Sequence, residues 1–262
     1  MIIAFIGDVV GKPGRQALAK AIPQIRRAHN PDLLIANAEN SAGSAGIDAS
    51  GLAEMEQSGI QFFTTGNHVW DKADGIGQLD EKNNIVRPAN YPQGTPGVGS
   101  ALVPGTDGRV AVINVQGRVF LPALDCPFRT VDRLLDSLPA SVKVVVLDMH
   151  AESTGEKQAM GWFLDGRASL VLGTHTHVPT RDARVLPEGT GYVTDVGMTG
   201  AYDSICGVDK TAIIERFLYM RPVHIDVAQE DLRVDYIVAD IDENSGTTRA
   251  IRHEQIEVKD GE

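Results

Sequence analysis

Several apolar segments of this chain stop at residues that bind metal ions. IIAFIG is followed by Asp8, DLLIANA by Glu39 and Asn40, and QFFTTG by Asn67 and His68. VKVVVLDM is followed by His150, and SLVLGT by His175 and, one threonine further, His177. Taken singly, each has an ordinary explanation. An aspartate after a strand caps a helix or forms a turn, an asparagine turns the chain, and a histidine is more often hydrogen-bonded in a core than bound to a metal. Capping and turning do not require carboxylate, amide and imidazole groups at one strand end after another. Ligands of open α/β sheets bind at the carboxyl ends of strands, so the coincidence points to one shared site there.

Oxygen and nitrogen donors without a thiolate suit Mn²⁺, Fe²⁺ or Zn²⁺ better than Ca²⁺, which takes oxygen alone. Iron or manganese leads and zinc follows. Six or seven donors exceed what one ion with open positions uses. They fit two divalent ions about 3.5–4 Å apart under a shared carboxylate, a pair that orients a phosphate and acidifies a bridging water to hydroxide. In an extended segment residues i and i+2 face the same way. His175 and His177 are therefore expected to reach the pair together, one to each ion, with Thr176 turned away.

The elements that must position these residues read as strand-then-helix units. The apolar runs around Ile2–Val10, Asp32–Asn40, Gln61–His68, Val142–Glu152 and Ser169–His177 are strands, Gly191–Gly197 is a further short strand, and Arg109–Phe120 is a strand with alternation. Helices are expected over Pro13–His29, Gly46–Ile60, Phe128–Leu138, Gly155–Gly166 and Lys210–Tyr219. Pro23 conflicts with the first of these and predicts a kink or a late start. The stretch from about Asp71 to Pro104 reads as loop-rich. The last segment, Val234–Asp242 and Thr247–Val258, reads as a hairpin turning at ENSG. Strands alternating with helices argue for an α/β fold, and hairpins near Arg109 and the C-terminus argue for mixed sheets. Residues 1–262 show no repeat or linker and read as one domain.

Composition narrows the class. The 262 residues are 42% hydrophobic, enough for a substantial core, and carry a net charge of -11. An acidic chain does not bind duplex nucleic acid tightly and non-specifically, although bound cations would let it act on phosphates. Cys126 and Cys206 lie far apart, which fits a reducing cytoplasm. MIIAFIGDVV reads as a buried strand and not a signal peptide. No apolar run approaches the roughly 18–20 residues that span a bilayer.

The ordered set Gly7-Asp8, Glu39, Gly66-Asn67-His68, His150 and GTHTH ending at His177 resembles the calcineurin-like metallophosphoesterases. Their blocks run Gly-Asp, a bridging acid, Gly-Asn-His, a lone His and Gly-x-His-x-His. The resemblance spans Asp8 to His177 and implies mixed sheets in a sandwich flanked by helices. Two departures stand out. The common Asp-x-His opening is Asp8-Val9-Val10 here, and Glu39 stands where the bridging residue is usually Asp, with Asn40 beside it to replace the lost histidine. Those departures, with GDVVGKPGR, NAENSAG, GNHVWD, DMHAE, GTHTHVPT and DVGMTG, resemble the bacterial YmdB-like subgroup, phosphodiesterases acting on cyclic nucleotides, notably 2′,3′-cyclic ones. The resemblance implies Asp8, Glu39, Asn40 and His177 on one ion and Glu39, Asn67, His150 and His175 on the other. It also implies His68 as the residue that contacts substrate and donates a proton.

The position of His68, next to a ligand, is also right for protonating a leaving oxygen. Asp71 either orients it or caps a helix. The 195–204 stretch either walls a substrate pocket, with Tyr202 stacking on a base, or is a solvent loop. Gly11–Arg15 either brings backbone N–H groups and Lys12 or Arg15 near a phosphate or, more in keeping with its lack of Walker spacing, is a plain strand-to-helix turn. His29, His224 and His253 read as surface residues, and Trp70 and Trp162 as packing. The expected partner is a small phosphoester, a nucleotide by resemblance, and self-association into a homo-oligomer is compatible with the sequence. The residue pattern does not separate a cyclic diester from a linear diester or a monoester. The rival reading is a regulatory protein that binds metal and a phosphorylated ligand, or RNA, without turnover.

Overall fold

The computed structural model describes residues 1–259. In chain order its elements begin β1 (Ile2–Ile6), β2 (Asp8–Val9), α1 (Gly11–His29), β3 (Leu33–Asn37), α2 (Ala49–Ser58) and β4 (Phe62–Thr64). After a short 3₁₀ turn over Asn67–Trp70 come α3 (Ala73–Glu81), β5 (Ser100–Leu102), β6 (Val110–Gln116), α4 (Pro127–Ser137), β7 (Val144–His150), α5 (Thr154–Phe163) and β8 (Leu170–Thr174). The chain closes with β9 (Arg184–Val185), β10 (Gly191–Val193), β11 (Met198–Ala201), α6 (Lys210–Tyr219), β12 (Leu232–Ile241) and β13 (Thr248–Glu257).

Two mixed sheets face each other. One runs β2-β11-β12-β1-β3-β4, with β13 added on β12, and the other runs β5-β6-β7-β8-β10-β9. Within the second sheet β6, β7, β8 and β10 are parallel, and antiparallel strands β5 and β9 close its two edges. Successive side chains of a strand point to opposite faces, and here both faces are covered. Ile3 and Phe5 of β1 pack between the sheets against Val110, Val112, Val144, Val146, Leu170 and Leu172. Ala4 and Ile6 pack outward with Leu18, Ile22 and Ile25 of α1. On the far side, Leu147 and Met149 of β7 pack with Met160 and Leu164. The result is a two-sheet sandwich with helices outside it, and it explains why the core strands are apolar runs. All seven residues of β6 are buried, so its expected alternation is absent.

Other expectations need correction. The first helix begins at Gly11 and continues through Pro23 to His29. Pro23 and Ala19 are both exposed, so water can solvate the carbonyl that a proline four residues on leaves unbonded. The loop-rich stretch from Asp71 to Pro104 also holds α3 and β5, two elements not expected there. The 195–204 stretch is not a solvent loop: Met198–Ala201 is a buried strand between β2 and β12. His29 and His253 are half-buried and bonded to Glu254 and the Val196 carbonyl. Trp162 is more than half exposed, with Arg184 over its ring. Among the described residues no helix is long and apolar enough to cross a membrane.

One buried acid makes stability depend on pH. Asp235 of β12 is buried and accepts from Gln255 Nε2 at 2.8 Å through Oδ1. Burial pushes its carboxyl up to about 7. Between the ordinary carboxylate range and that value the folded chain keeps a proton that the unfolded chain has lost, so stability falls as pH rises through the window. The effect is on the order of 2–4 kcal/mol. Asp235→Asn, which cannot ionise, should gain on the parent protein between pH 5 and pH 8 in urea titrations of metal-stripped samples. Parallel curves for the two chains would show that Asp235 does not titrate there.

Candidate metal centre

The sheets deliver the candidate residues to one edge. Asp8 opens β2, Glu39 and Asn40 form the turn after β3, Asn67 and His68 start the 3₁₀ turn after β4, and His150 ends β7. His175 and His177 follow β8. The crowding at this edge leaves no room for a side chain at Gly66, where a Cβ would lie 2.2 Å from both Glu39 Oε2 and His150 Nε2.

The donors form two groups with one member in common. Glu39, His150 and His175 form one and Asp8, Glu39 and His177 the other, the ligand atoms of each lying within 4.8 Å of one another. In the first group His150 Nε2 lies 3.2 Å from Glu39 Oε2, 2.9 Å from Asn67 Oδ1 and 3.2 Å from His175 Nδ1. In the second, His177 Nε2 lies 3.9 Å from Asp8 Oδ1 and 3.1 Å from Asn40 Nδ2, and Asn40 Nδ2 is also 3.1 Å from Glu39 Oε1. The nitrogen and oxygen of an amide exchange places by a half-turn, so Asn40 can offer its oxygen at the same point.

The route by which the two histidines converge differs from the expected one. The strand ends at Thr174, and both His175 (φ 94°) and His177 (φ 62°) adopt left-handed backbone conformations. Such conformations are costly for residues other than glycine and persist where surrounding contacts fix them. Thr176 does turn away, and it supplies the fixing contacts: its Oγ1 and N–H donate to Asp195 Oδ2 at 2.6 and 3.3 Å. Asp195 is paired in turn with the buried Lys157 ammonium at 2.6 Å. The His175 N–H donates to Asp8 Oδ2 at 3.2 Å.

Further residues set tautomers. Thr174 Oγ1 donates to Asp148 Oδ1 at 2.7 Å, so toward His150 Nδ1, 2.9 Å away, it can only accept. That places the proton of a neutral His150 on Nδ1 and leaves the Nε2 lone pair facing the cluster. Glu152 Oε2 lies 3.1 Å from His175 Nε2, and the Cys206 carbonyl 3.0 Å from His177 Nδ1, which orients those rings likewise. His68 Nδ1 lies 2.8 Å from Asp71 Oδ2, and its backbone N–H donates to Glu39 Oε2 at 3.2 Å. Asp71 therefore orients His68.

Electrostatics match a cation site. Asp8 Oδ1 is buried with no hydrogen-bond partner among the described residues, and burial pushes that carboxyl up to about 7 despite the nearby histidines. Burial also opposes the charge on Glu39, but the adjoining His150 outweighs it and holds the carboxyl down to about 2. The converse balance raises His150 to about 9. Burial and the charge of His150 lower His175 to about 3, leaving a neutral imidazole. A buried carboxylate oxygen with no hydrogen-bond donor, beside imidazoles and amides, is a set that a divalent cation would satisfy.

Of the sequence-predicted residues, Asp8, Glu39, Asn40, Asn67, His68, His150, His175 and His177 come together. Tyr202 does not: its ring lies under the Arg233 guanidinium, 5.1 Å away, with no ring contact to the cluster among the described residues. Glu152, Thr174, Asp148 and Lys157 escaped the sequence analysis, and Asp195 entered it only as the first residue of the 195–204 stretch. A signal was present for Glu152 alone, two residues after His150.

A family model described as YmdB-like protein matches residues 4–253. The chain is 46% identical over 260 residues to a 2′,3′-cyclic-nucleotide 2′-phosphodiesterase of Bacillus subtilis, covering 99% of this chain and 98% of the relative. Among solved structures, a hypothetical protein from Thermus thermophilus superposes with a TM-score of 0.92 at 42% identity, covering 98% and 99% of the two chains. A novel phosphatase of Mycoplasma pneumoniae superposes with a TM-score of 0.92 at 29% identity, covering 98% and 93%.

Proposed function

Since the chain belongs to the YmdB-like family, we propose that it is a metal-dependent phosphodiesterase of 2′,3′-cyclic nucleotides, working as one domain in the cytoplasm. It is an enzyme, a phosphoric ester hydrolase. The observation that carries the reading is Glu39, the one carboxylate common to both donor groups. On this reading Asp8, Glu39, Asn40 and His177 hold one divalent ion, and Glu39, Asn67, His150 and His175 hold the other. Iron or manganese suits the donor set best, with zinc next. When bound, such ions neutralise phosphate oxygens and acidify water.

The chain's own groups do the rest. Water adds at phosphorus, one ester P–O bond of the cyclic phosphate breaks, and the departing ribose oxygen takes a proton. His68 supplies that proton from Nε2, while Nδ1–H stays on Asp71. The Glu39 carboxylate fixes the His68 backbone. Asp148 and Thr174 hold His150 in the tautomer that faces the centre.

The test is a substrate panel on protein stripped with chelator and reloaded with Fe²⁺, Mn²⁺ or Zn²⁺. Hydrolysis of 2′,3′-cyclic nucleotides should exceed that of 3′,5′-cyclic nucleotides, linear dinucleotides and monoesters, and should vanish in the stripped sample. Binding of nucleotide with no turnover under any loading would overturn the proposal in favour of a non-catalytic regulator.

A further inference from the structure

The strand β6 ends at the same edge as the donor cluster. Its last residue, Gln116, pairs in register with His150, and paired residues of neighbouring strands share a face. Gln116 is fully buried, with Oε1 accepting from the Tyr91 hydroxyl at 3.2 Å. Its Nε2 is buried and has no partner among the described residues. Buried amide donors are almost always paired, so an unpaired one beside His150 marks a place where an oxygen of a ligand belongs.

The chain beyond Gln116 is braced. The Gly117 N–H donates to the His150 carbonyl at 2.9 Å, and the N–H groups of Arg118 and Val119 donate to the Glu156 carboxylate at 3.1 and 3.0 Å. The brace presents Phe120, a bulky residue in left-handed conformation (φ 65°) with 88% of its surface exposed. At that exposure packing does not offset the backbone cost, and a strained residue of this kind points to function in place of folding. Phe120 lies three residues past Gly117, so its Cα stays within about 11 Å of the Gly117 Cα. That reach fits a nucleoside phosphate, with the phosphate at the donor cluster, the ribose by Gln116 and the base at Phe120.

We propose that the β6 end is a nucleoside-reading subsite in which Phe120 stacks on the base and Gln116 Nε2 donates to a ribose or phosphate oxygen. The subsite rests on the phosphodiesterase reading of the adjoining centre. It explains why a nucleotide would be preferred to other cyclic phosphodiesters, since a stacked aromatic accepts any base.

The test compares kcat/KM for a nucleoside 2′,3′-cyclic phosphate with that for glycerol 1,2-cyclic phosphate, which carries no base. Phe120→Ala should lower the ratio roughly tenfold, within the range of one base-stacking contact. Phe120→Trp should retain it, and Phe217→Ala, at an exposed phenylalanine on α6, should leave it unchanged. Gln116→Glu, which replaces the donor by an acceptor, should raise KM for both substrates at unchanged metal content. An unaltered ratio in Phe120→Ala overturns the base contact, and an unaltered KM in Gln116→Glu removes Gln116. If the parent protein hydrolyses neither substrate, the phosphodiesterase reading fails on its own. The subsite is then judged by calorimetric binding of a nucleoside 3′-monophosphate and of glycerol phosphate to metal-loaded protein. A base-dependent loss of affinity in Phe120→Ala supports it, and equal affinities overturn it.

Discussion

Replacing His68 by alanine is expected to slow hydrolysis of a 2′,3′-cyclic nucleotide by a factor of about 10²–10⁴ while both metal ions stay bound, the range associated with one positioned general acid. His68 belongs to neither donor group, so its ring is not needed to hold an ion. Its Nδ1 is committed to Asp71 at 2.8 Å, which leaves Nε2 as the end that exchanges a proton. Both side chains of that pair are more than a third exposed, so losing it removes at most about 1 kcal/mol of stability. The fall should appear in kcat. It should shrink for a p-nitrophenyl diester, whose leaving group departs without a proton. Equal losses on the two substrates would mean that His68 does something other than protonate the leaving oxygen. An undiminished rate with the cyclic nucleotide would remove it from the reaction.

The candidate donors stand out in the sequence because strands buried on both faces must be apolar, so a polar residue at the end of each run is conspicuous. β1, β3, β7 and β8 are such runs, and each leads into a donor. What holds the donors in place was not readable. Lys157 and Asp195 are 38 positions apart and meet only after α5 folds back beside β8. Asp148 reads as part of an apolar strand, although its carboxylate sits between Asn37, Thr64 and Thr174.

Local pattern misled where glycine serves packing. Gly75 and Gly77 make α3 look like loop, yet a Cβ at Gly75 would lie 2.2 Å from the Ile47 carbonyl. The helix depends on that glycine to approach, and intrinsic propensity is overridden by tertiary contact. The histidine pair shows the opposite limit. Period-2 alternation placed both rings on one side, which is where they are, but for the wrong reason. Their convergence comes from two left-handed residues pinned by Asp8 and by Asp195 through Thr176. Backbone conformations of that kind are decided by partners far along the chain.

Glu39→Gln is expected to be the most damaging single change in the molecule: both ions lost and hydrolysis reduced to that of the chelated protein. Even residues that merely orient a ligand are worth about 10–100-fold in metal affinity, and Glu39 is the one acid in both donor groups, so its charge counts twice. Asp8→Asn is the informative contrast. Asp8 belongs to one group only, so that variant should keep one ion per chain in elemental analysis where Glu39→Gln keeps none. Metal-free protein adds a second signature. Without an ion, Glu39 is balanced by a proton on His150, which it raises to about 9, so at neutral pH loading an ion must expel that proton. Metal uptake by the parent protein should therefore acidify a weakly buffered solution and weaken as pH falls. Glu39→Gln leaves the buried His150 without its counter-charge, and it should sit neutral, with no proton to release. If Glu39→Gln retains two ions and its activity, the carboxylate is not shared and the two donor groups are not halves of one catalytic centre.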